Sequence, residues 1–400
     1  MNRRQLLRTG LLGGLGLVGS PMINLGRCRL AAQPAGIEVP TAAVDLVLGS
    51  TVVDMLGLLT LDWPKLFRWQ RSPRTFVEND FRKLEASGVN VFHPAVETSS
   101  SNAHDAIRRW INNWRALLDA HPCYFSHVTT VSDLVVAPKV GKIGVLIGFQ
   151  NSDHFRTLND VEVFHRLGQR VSQLTYNERN RLGDGCYVRR DRGLTAFGAQ
   201  VVAEMNRLGM VVDVSHCGER TSLDAVEVSQ KPVLITHSNC KALVPGHPRC
   251  KSDRVIRRMA AGGGVMGITI VRGFVSRKGS PTVEDLLDHF DHVARLVGPE
   301  YVGLGSDADV DILDPRTGRE RSIYHIRGME PAVRVYQIAA GLLRRGYSRD
   351  DVELVIGGNF RRALLNVWLD ATSWPVVPER LTRRDPFCPA RIPARPFFAG

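Results

Sequence analysis

Two stretches decide how this chain reads: Val211-Val212-Asp213-Val214-Ser215-His216 and Val233-Leu234-Ile235-Thr236-His237-Ser238-Asn239. Each is a short, mostly apolar run rich in β-branched residues, as expected of a strand buried on both faces. The first run ends on His216, and the second carries His237 near its end. A third run, Val302-Gly303-Leu304-Gly305-Ser306-Asp307, closes on an aspartate. Polar residues gathered at the C-terminal ends of several buried parallel strands mark the reactive face of an α/β barrel. Two neutral imidazoles and a carboxylate on one rim suit a zinc ion with an acid or base beside it.

Working outward, five more runs of the same kind fall at 51–54, 89–92, 144–149, 171–175 and 265–269. Helical patterns lie between the runs at 76–87, 102–120, 161–168, 196–208, 220–229, 252–261 and 283–296. Repeated βα units of this count predict a (β/α)8 barrel rather than an open sheet. The expected organisation is a leader over 1–32, one barrel domain over 33–374 and a Pro- and Arg-rich extended tail over 375–400. Further helices are expected at 332–345 and from Arg349 onward. The polar segments 150–160 and 177–192 follow strands, which places both on the reactive rim.

Composition narrows the function. The chain has 400 residues, 44% of them hydrophobic and 23% charged, as in a soluble globular protein. Its net charge of +12 falls to +7 without residues 1–32, which hold five arginines and no acid. The remaining basic residues form no long run and no aromatic-interleaved stretch, so nucleic-acid binding is not expected. Asn2-Arg3-Arg4-Gln5-Leu6-Leu7-Arg8 resembles a twin-arginine export motif, followed by an apolar, glycine-rich stretch over 9–25. That stretch is too short and glycine-rich for a membrane span. The expectation is a periplasmic protein, with an uncleaved N-terminal anchor as the other reading. The twin-arginine route carries folded protein, which is consistent with a metal loaded before export. Seven cysteines occur, and their pairing is not readable from spacing. Cys217 follows His216 and Cys240 lies three residues after His237, so a thiolate ligand is the alternative to buried structural cysteine.

Several ordered motifs then carry a resemblance. These are Gly193-Leu194-Thr195-Ala196-Phe197-Gly198, Met205-Asn206-Arg207-Leu208-Gly209-Met210, Asp213-Val214-Ser215-His216, Thr236-His237-Ser238, His247-Pro248-Arg249, Gly303-Leu304-Gly305-Ser306-Asp307 and Gly357-Gly358-Asn359-Phe360. Together they resemble the renal (membrane) dipeptidase family of zinc peptidases, from about residue 45 to residue 369. The resemblance implies a barrel with two zinc ions that activate a water for attack on a dipeptide amide. By position, His216 and His237 resemble the histidine ligands of the second metal. Arg249 resembles the arginine that holds the substrate carboxylate, a task suited to a two-pronged guanidinium. Asp307 resembles the aspartate near the scissile amide, a proton shuttle. A homodimer is implied by the family alone.

The chain departs from that pattern in one half of the site. Where the family has Asp-Gly-His-Asn-Asp, this chain has Asp54-Met55-Leu56-Gly57-Leu58, so leucine stands at both first-metal ligand positions. Gln150 stands where the family has a bridging glutamate, and Tyr176 where it has a substrate-binding histidine. Losing the first-metal ligands removes the reason for a bridging carboxylate. The expectation is therefore a hydrolase of dipeptides or related small amides with one zinc rather than two. Its metal residues are His216, His237 and Gln150, with Asp307 as catalytic base and Arg249 and Tyr176 on the substrate. The alternative is a non-catalytic periplasmic binding or accessory protein that keeps the carboxylate pocket. Asp62 in a shifted register and His93 at the end of the second strand are further candidates for the rim.

Overall fold

The computed structural model describes residues 27–28, 37–97, 102–311, 324 and 326–368. The expected leader lies outside these residues, save for Arg27–Cys28, which pairs antiparallel with Val39–Pro40. The tail over 375–400 also lies outside them.

Eight parallel strands close the barrel: β1 Val53–Asp54, β2 Val91–Phe92, β3 in two pieces (Ile143–Val145 and Gly148–Phe149), β4 Val171–Gln173, β5 Val211–Asp213, β6 Ile235–Ser238, β7 Met266–Ile268 and β8 Val302–Leu304. Closure is by β8 onto β1 through Leu304 opposite Asp54, and β5 meets β6 at Asp213 opposite Leu234. All eight sequence runs thus become strands. The interruption in β3 has a visible cause. Its first piece pairs outward with Phe125–His127, and its second piece pairs with β4. That outer strand and the helix Val131–Lys139 behind it were not expected from sequence.

The interior of the barrel is one apolar cluster. Val53, Val91, Leu146, Val171, Val211, Leu234 and Val265 each come from a different strand or its immediate flank. Phe360, Ala363, Leu364 and Val367 of the helix Asn359–Trp368 join them and plug the end where the strands begin. Asn359 donates from Nδ2 to the carbonyl of Val302, which fixes that helix to the start of β8. Gly357 shows why this junction needs glycine: a Cβ there would lie 2.0 Å from the Thr51 carbonyl oxygen. Each fully buried side chain of this size contributes roughly 1.5–3 kcal/mol. The plug therefore turns the strand-start end into core and leaves the strand-end mouth for chemistry.

Outer helices follow the expected pattern closely. Ala196–Leu208 begins at Thr195, whose hydroxyl accepts from the Gly198 amide, and ends at Gly209 in the left-handed region. Helices at Thr41–Gly49 and Trp63–Arg71 were not expected. Among the described residues no helix is long and apolar enough to cross a membrane.

Candidate active site

His216 sits just past β5 and His237 lies within β6. Their Nε2 atoms stand 3.0 Å apart. Each ring is held from behind through Nδ1. His216 Nδ1 lies 2.7 Å from Asn177 Oδ1, and His237 Nδ1 lies 2.8 Å from Thr236 Oγ1. The network assigns the protons. Asn177 Oδ1 can only accept, so His216 Nδ1 carries hydrogen. Thr236 donates its own hydroxyl to Asp213 Oδ2 at 2.7 Å, so its oxygen is free to accept from His237 Nδ1. Asp213 accepts two further bonds at Oδ1 from Ser215, at 2.9 Å from the amide and 2.6 Å from the hydroxyl, and one at 3.1 Å from the Thr236 amide. A carboxylate with this many donors acts as a pure acceptor. Both imidazoles are thus Nδ1–H tautomers with converging Nε2 lone pairs. Burial, and then the charge of Arg249, push both well below the ordinary histidine range, so both are neutral at pH 7.

Asp307 follows β8 and is half-buried at the mouth. Burial pushes its carboxyl up to about 7, with Arg249 pulling it down and Asp54 pushing it further up. It adopts a left-handed backbone with φ 59°. Asn177 has the same φ, and these two are the only non-glycine residues with positive φ among those described. Strained backbone of this kind collects at functional sites.

The Arg249 guanidinium is buried and bound mainly to main chain. Nη1 donates to the Ser215 carbonyl at 2.6 Å and to Ser238 Oγ at 3.2 Å, and Nη2 to the His237 carbonyl at 2.7 Å. Three donors therefore tie together the ends of β5 and β6. Nε is buried with no hydrogen-bond partner among the described residues. Tyr176 stacks on His216 with ring centroids 4.2 Å apart, and its hydroxyl is raised by burial and by the charge of Asp307.

Gln150 is placed differently. Its Nε2 donates to the Ala95 carbonyl at 3.1 Å, and Gln173 donates to its main-chain oxygen. Among the described residues no hydrogen bond joins it to either histidine.

The remaining candidates have structural partners. Asp62 caps the helix Trp63–Arg71 by accepting from the Lys65 amide. His93 is buried, with Nδ1 on the Met55 carbonyl at 2.6 Å and Nε2 without a partner. Cys217 accepts from Thr175 Oγ1 at 3.2 Å, and burial pushes its thiol up to about 11, so it is not a thiolate. Cys240 is likewise pushed far up by burial.

A two-zinc centre does not fit these residues. Leu56 and Leu58 are 0% and 7% exposed, so apolar side chains fill the first-metal half. Among the described residues no three His, Cys, Asp or Glu side chains are grouped to hold a metal ion. The histidine pair does fit a single ion. Two lone pairs facing each other at 3.0 Å repel unless a cation lies between them, and the spacing is within reach of two bonds of about 2.0–2.1 Å. Sequence reading missed the supports Asn177, Thr236 and Asp213. Asp213 was the visible signal, a carboxylate inside an otherwise apolar strand.

Comparison with known proteins bears on the family and the fold. Residues 50–373 match the model of the membrane dipeptidase family (peptidase family M19). The dipeptidase tcpJ of Claviceps purpurea (strain 20.1) is 34% identical over 284 residues, covering 70% of this chain and 63% of tcpJ. The chain thus spans a little under two thirds of that relative. An amidohydrolase from Pseudomonas aeruginosa superposes with a TM-score of 0.70 at 29% identity, covering 82% of this chain and 99% of that one. A metallopeptidase from Rhodobacter sphaeroides, liganded with a phosphinate mimic of the dipeptide L-Ala-D-Ala, shares the fold. Its TM-score is 0.65 at 20% identity, covering 80% of this chain and 99% of that one. The chain belongs to the membrane dipeptidase family, peptidase family M19.

Proposed function

We propose that this protein hydrolyses the amide bond of dipeptides or related small amides, using one zinc ion held by His216 and His237. The observation that carries the reading is the pair of converging Nε2 lone pairs, each fixed by an oxygen behind its ring. Orientation of both rings through Nδ1 is how metal-binding histidines are held. Gln150, whose Nε2 is tied to the Ala95 carbonyl, keeps its Oε1 as the oxygen we assign to the third position. When bound, the ion supplies a Lewis acid that polarises the carbonyl and lowers the pKa of water. Asp307, poised near pH 7, takes the proton from the attacking water and returns it to the leaving amine. Arg249, through its unpartnered Nε, meets the substrate carboxylate, and Tyr176 stacks on the His216 ring.

A second reading is favoured by the leucine-filled half of the mouth: a binding or accessory protein that holds a carboxylate ligand without turnover. Elemental mass spectrometry of the zinc-supplied protein, with an L-Ala-D-Ala hydrolysis assay, separates the two. About one zinc per chain with turnover supports the hydrolase. Folded protein without zinc or turnover supports the binding protein. Export through the twin-arginine route is part of the same proposal, and the disulfide at Cys123 supports an oxidising compartment.

A further inference from the structure

The Asp307 carboxylate receives no hydrogen bond from any described residue. Its aim therefore depends on its main chain, which is in the left-handed region. That main chain is gripped at three successive places. The Ser306 amide donates to Asp54 Oδ1 at 2.8 Å. The Asp307 amide donates to the Leu56 carbonyl at 2.9 Å. The Asp309 carbonyl accepts from Arg334 Nη2 at 3.1 Å. Arg334 also donates from Nη1 to Ser306 Oγ at 3.2 Å and from Nε to the Met329 carbonyl at 3.3 Å. It is a buried cation on the helix Arg334–Arg344, outside the barrel. Asp54 is buried at the end of β1, and its Oδ1 also accepts from the Leu56 amide at 3.2 Å. One carboxylate thus holds both the Leu56 and the Ser306 ends of the contact that fixes Asp307.

We propose that Arg334, Ser306 and Asp54 are positioning residues for Asp307. They form a clamp that keeps the turn after β8 in its strained form, so that the otherwise unbonded carboxylate points into the mouth. The role rests on the hydrolase reading for its catalytic meaning, while the clamp itself is independent of that reading. Strained backbone persists only where surrounding contacts over-determine it, and main-chain handles on both sides of Asp307 meet that need. The charged and titratable groups facing Asp307 are Arg249, Asp54 and the Tyr176 phenol. Loosening the turn changes its distance from all three.

The test uses zinc-loaded full-length protein with L-Ala-D-Ala as probe, and compares Arg334→Gln and Ser306→Ala with Leu342→Ala. Leu342 is a buried residue of the same helix and makes none of the hydrogen bonds of the clamp. Arg334→Gln is expected to lower kcat about 10-fold or more with KM within about twofold, and to displace the acid limb of the pH profile. Ser306→Ala gives a smaller change of the same kind. Leu342→Ala lowers Tm but leaves both readouts in place. Carboxyl 13C NMR titration of zinc-free protein, with the Asp307 signal assigned through Asp307→Asn, gives a readout that needs no turnover. If the wild type hydrolyses no dipeptide, the hydrolase reading falls and the titration alone judges the clamp. An Asp307 titration displaced in Arg334→Gln and Ser306→Ala but not in Leu342→Ala supports it. Titration and kcat in the clamp variants matching those of Leu342→Ala overturn it, and Ser306→Ala decides alone if Arg334→Gln fails to fold.

Discussion

The two sides of the barrel mouth are built on opposite principles. On the β5–β6 side, His216 and His237 rest on Asn177, Thr236, Ser215 and Asp213, and nearly every polar atom behind the rings has a partner. On the β1–β3 side, Leu56 and Leu58 are buried, and Gln150 is tied to the Ala95 carbonyl. The same strand ends, at the same height in one barrel, hold a polar network on one side and packed hydrocarbon on the other. The contrast shows that a strand end supplies a place for chemistry while the side chains behind the ligand decide whether it is held. The β1 side nevertheless keeps a main-chain duty, because the Leu56 carbonyl holds the Asp307 amide. Substitution there removed side-chain donors and left that contact standing.

The contrast can be broken most severely from the polar side. His237→Ala removes one of two ring ligands and leaves a buried lone pair opposite a void. Zinc retained after dialysis should fall from about one per chain to about a tenth or less, with dipeptide turnover lost. Retention of a full equivalent would show that the ion lies elsewhere.

The next largest effect runs the other way. Leu56→His, Leu58→Asp and Gln150→Glu together restore donors to the apolar side. Zinc content should rise to about two per chain. The zinc-free triple variant should lose about 3 kcal/mol or more, because polar groups replace packed hydrocarbon. A stoichiometry unchanged at one would mean that the β1 backbone itself has moved out of register for a metal.

Thr236→Val tests the support rather than the ligand. It keeps the shape, removes the oxygen behind His237 Nδ1 and frees that ring's tautomer. Zinc affinity should fall about 10- to 100-fold by competition with a chromophoric chelator. An unchanged affinity would show that the ring is held by packing alone.

The smallest change in stability belongs to Asp307→Asn. In the folded, zinc-free protein the carboxyl is pushed up to about 7 from an ordinary value of 3.8, so the folded state holds its proton more tightly than the unfolded state. Wild-type stability should therefore fall as pH rises from about 4 to about 7 and level off above that. The asparagine variant lacks this loss. It should be more stable by about 2 kcal/mol above pH 7 and no more stable at pH 3, by urea unfolding. In the zinc-loaded enzyme the same residue acts as base in its deprotonated form, so wild-type turnover should rise with pH through its pKa and be lost in the variant.

Much of this was legible in the chain because the signals are local. The strand runs need only consecutive apolar residues, and the helix Ala196–Leu208 announces itself by Thr195 and Gly209 at its two ends. The helix Val131–Lys139 was hidden by β-branched residues and an internal Pro138, both poor helix formers in isolation. Its stability comes from burying Val131, Leu134 and Ala137. In the site, His216, His237 and Asp307 were readable because each lies at or beside the end of an apolar run.

The sequence by itself determined the barrel and the strand ends that face the mouth, which follow from periodicity. Its resemblance to the family added that Leu56 and Leu58 stand where the family has metal ligands. Only the tertiary structure decided how the ligands and the base are held. Asn177 reaches His216 across 39 residues, Asp54 reaches Ser306 across 252, and Arg334 comes in from a helix beyond the last strand. Such bonds join residues that barrel closure brings together, and no local pattern of neighbours along the chain encodes them.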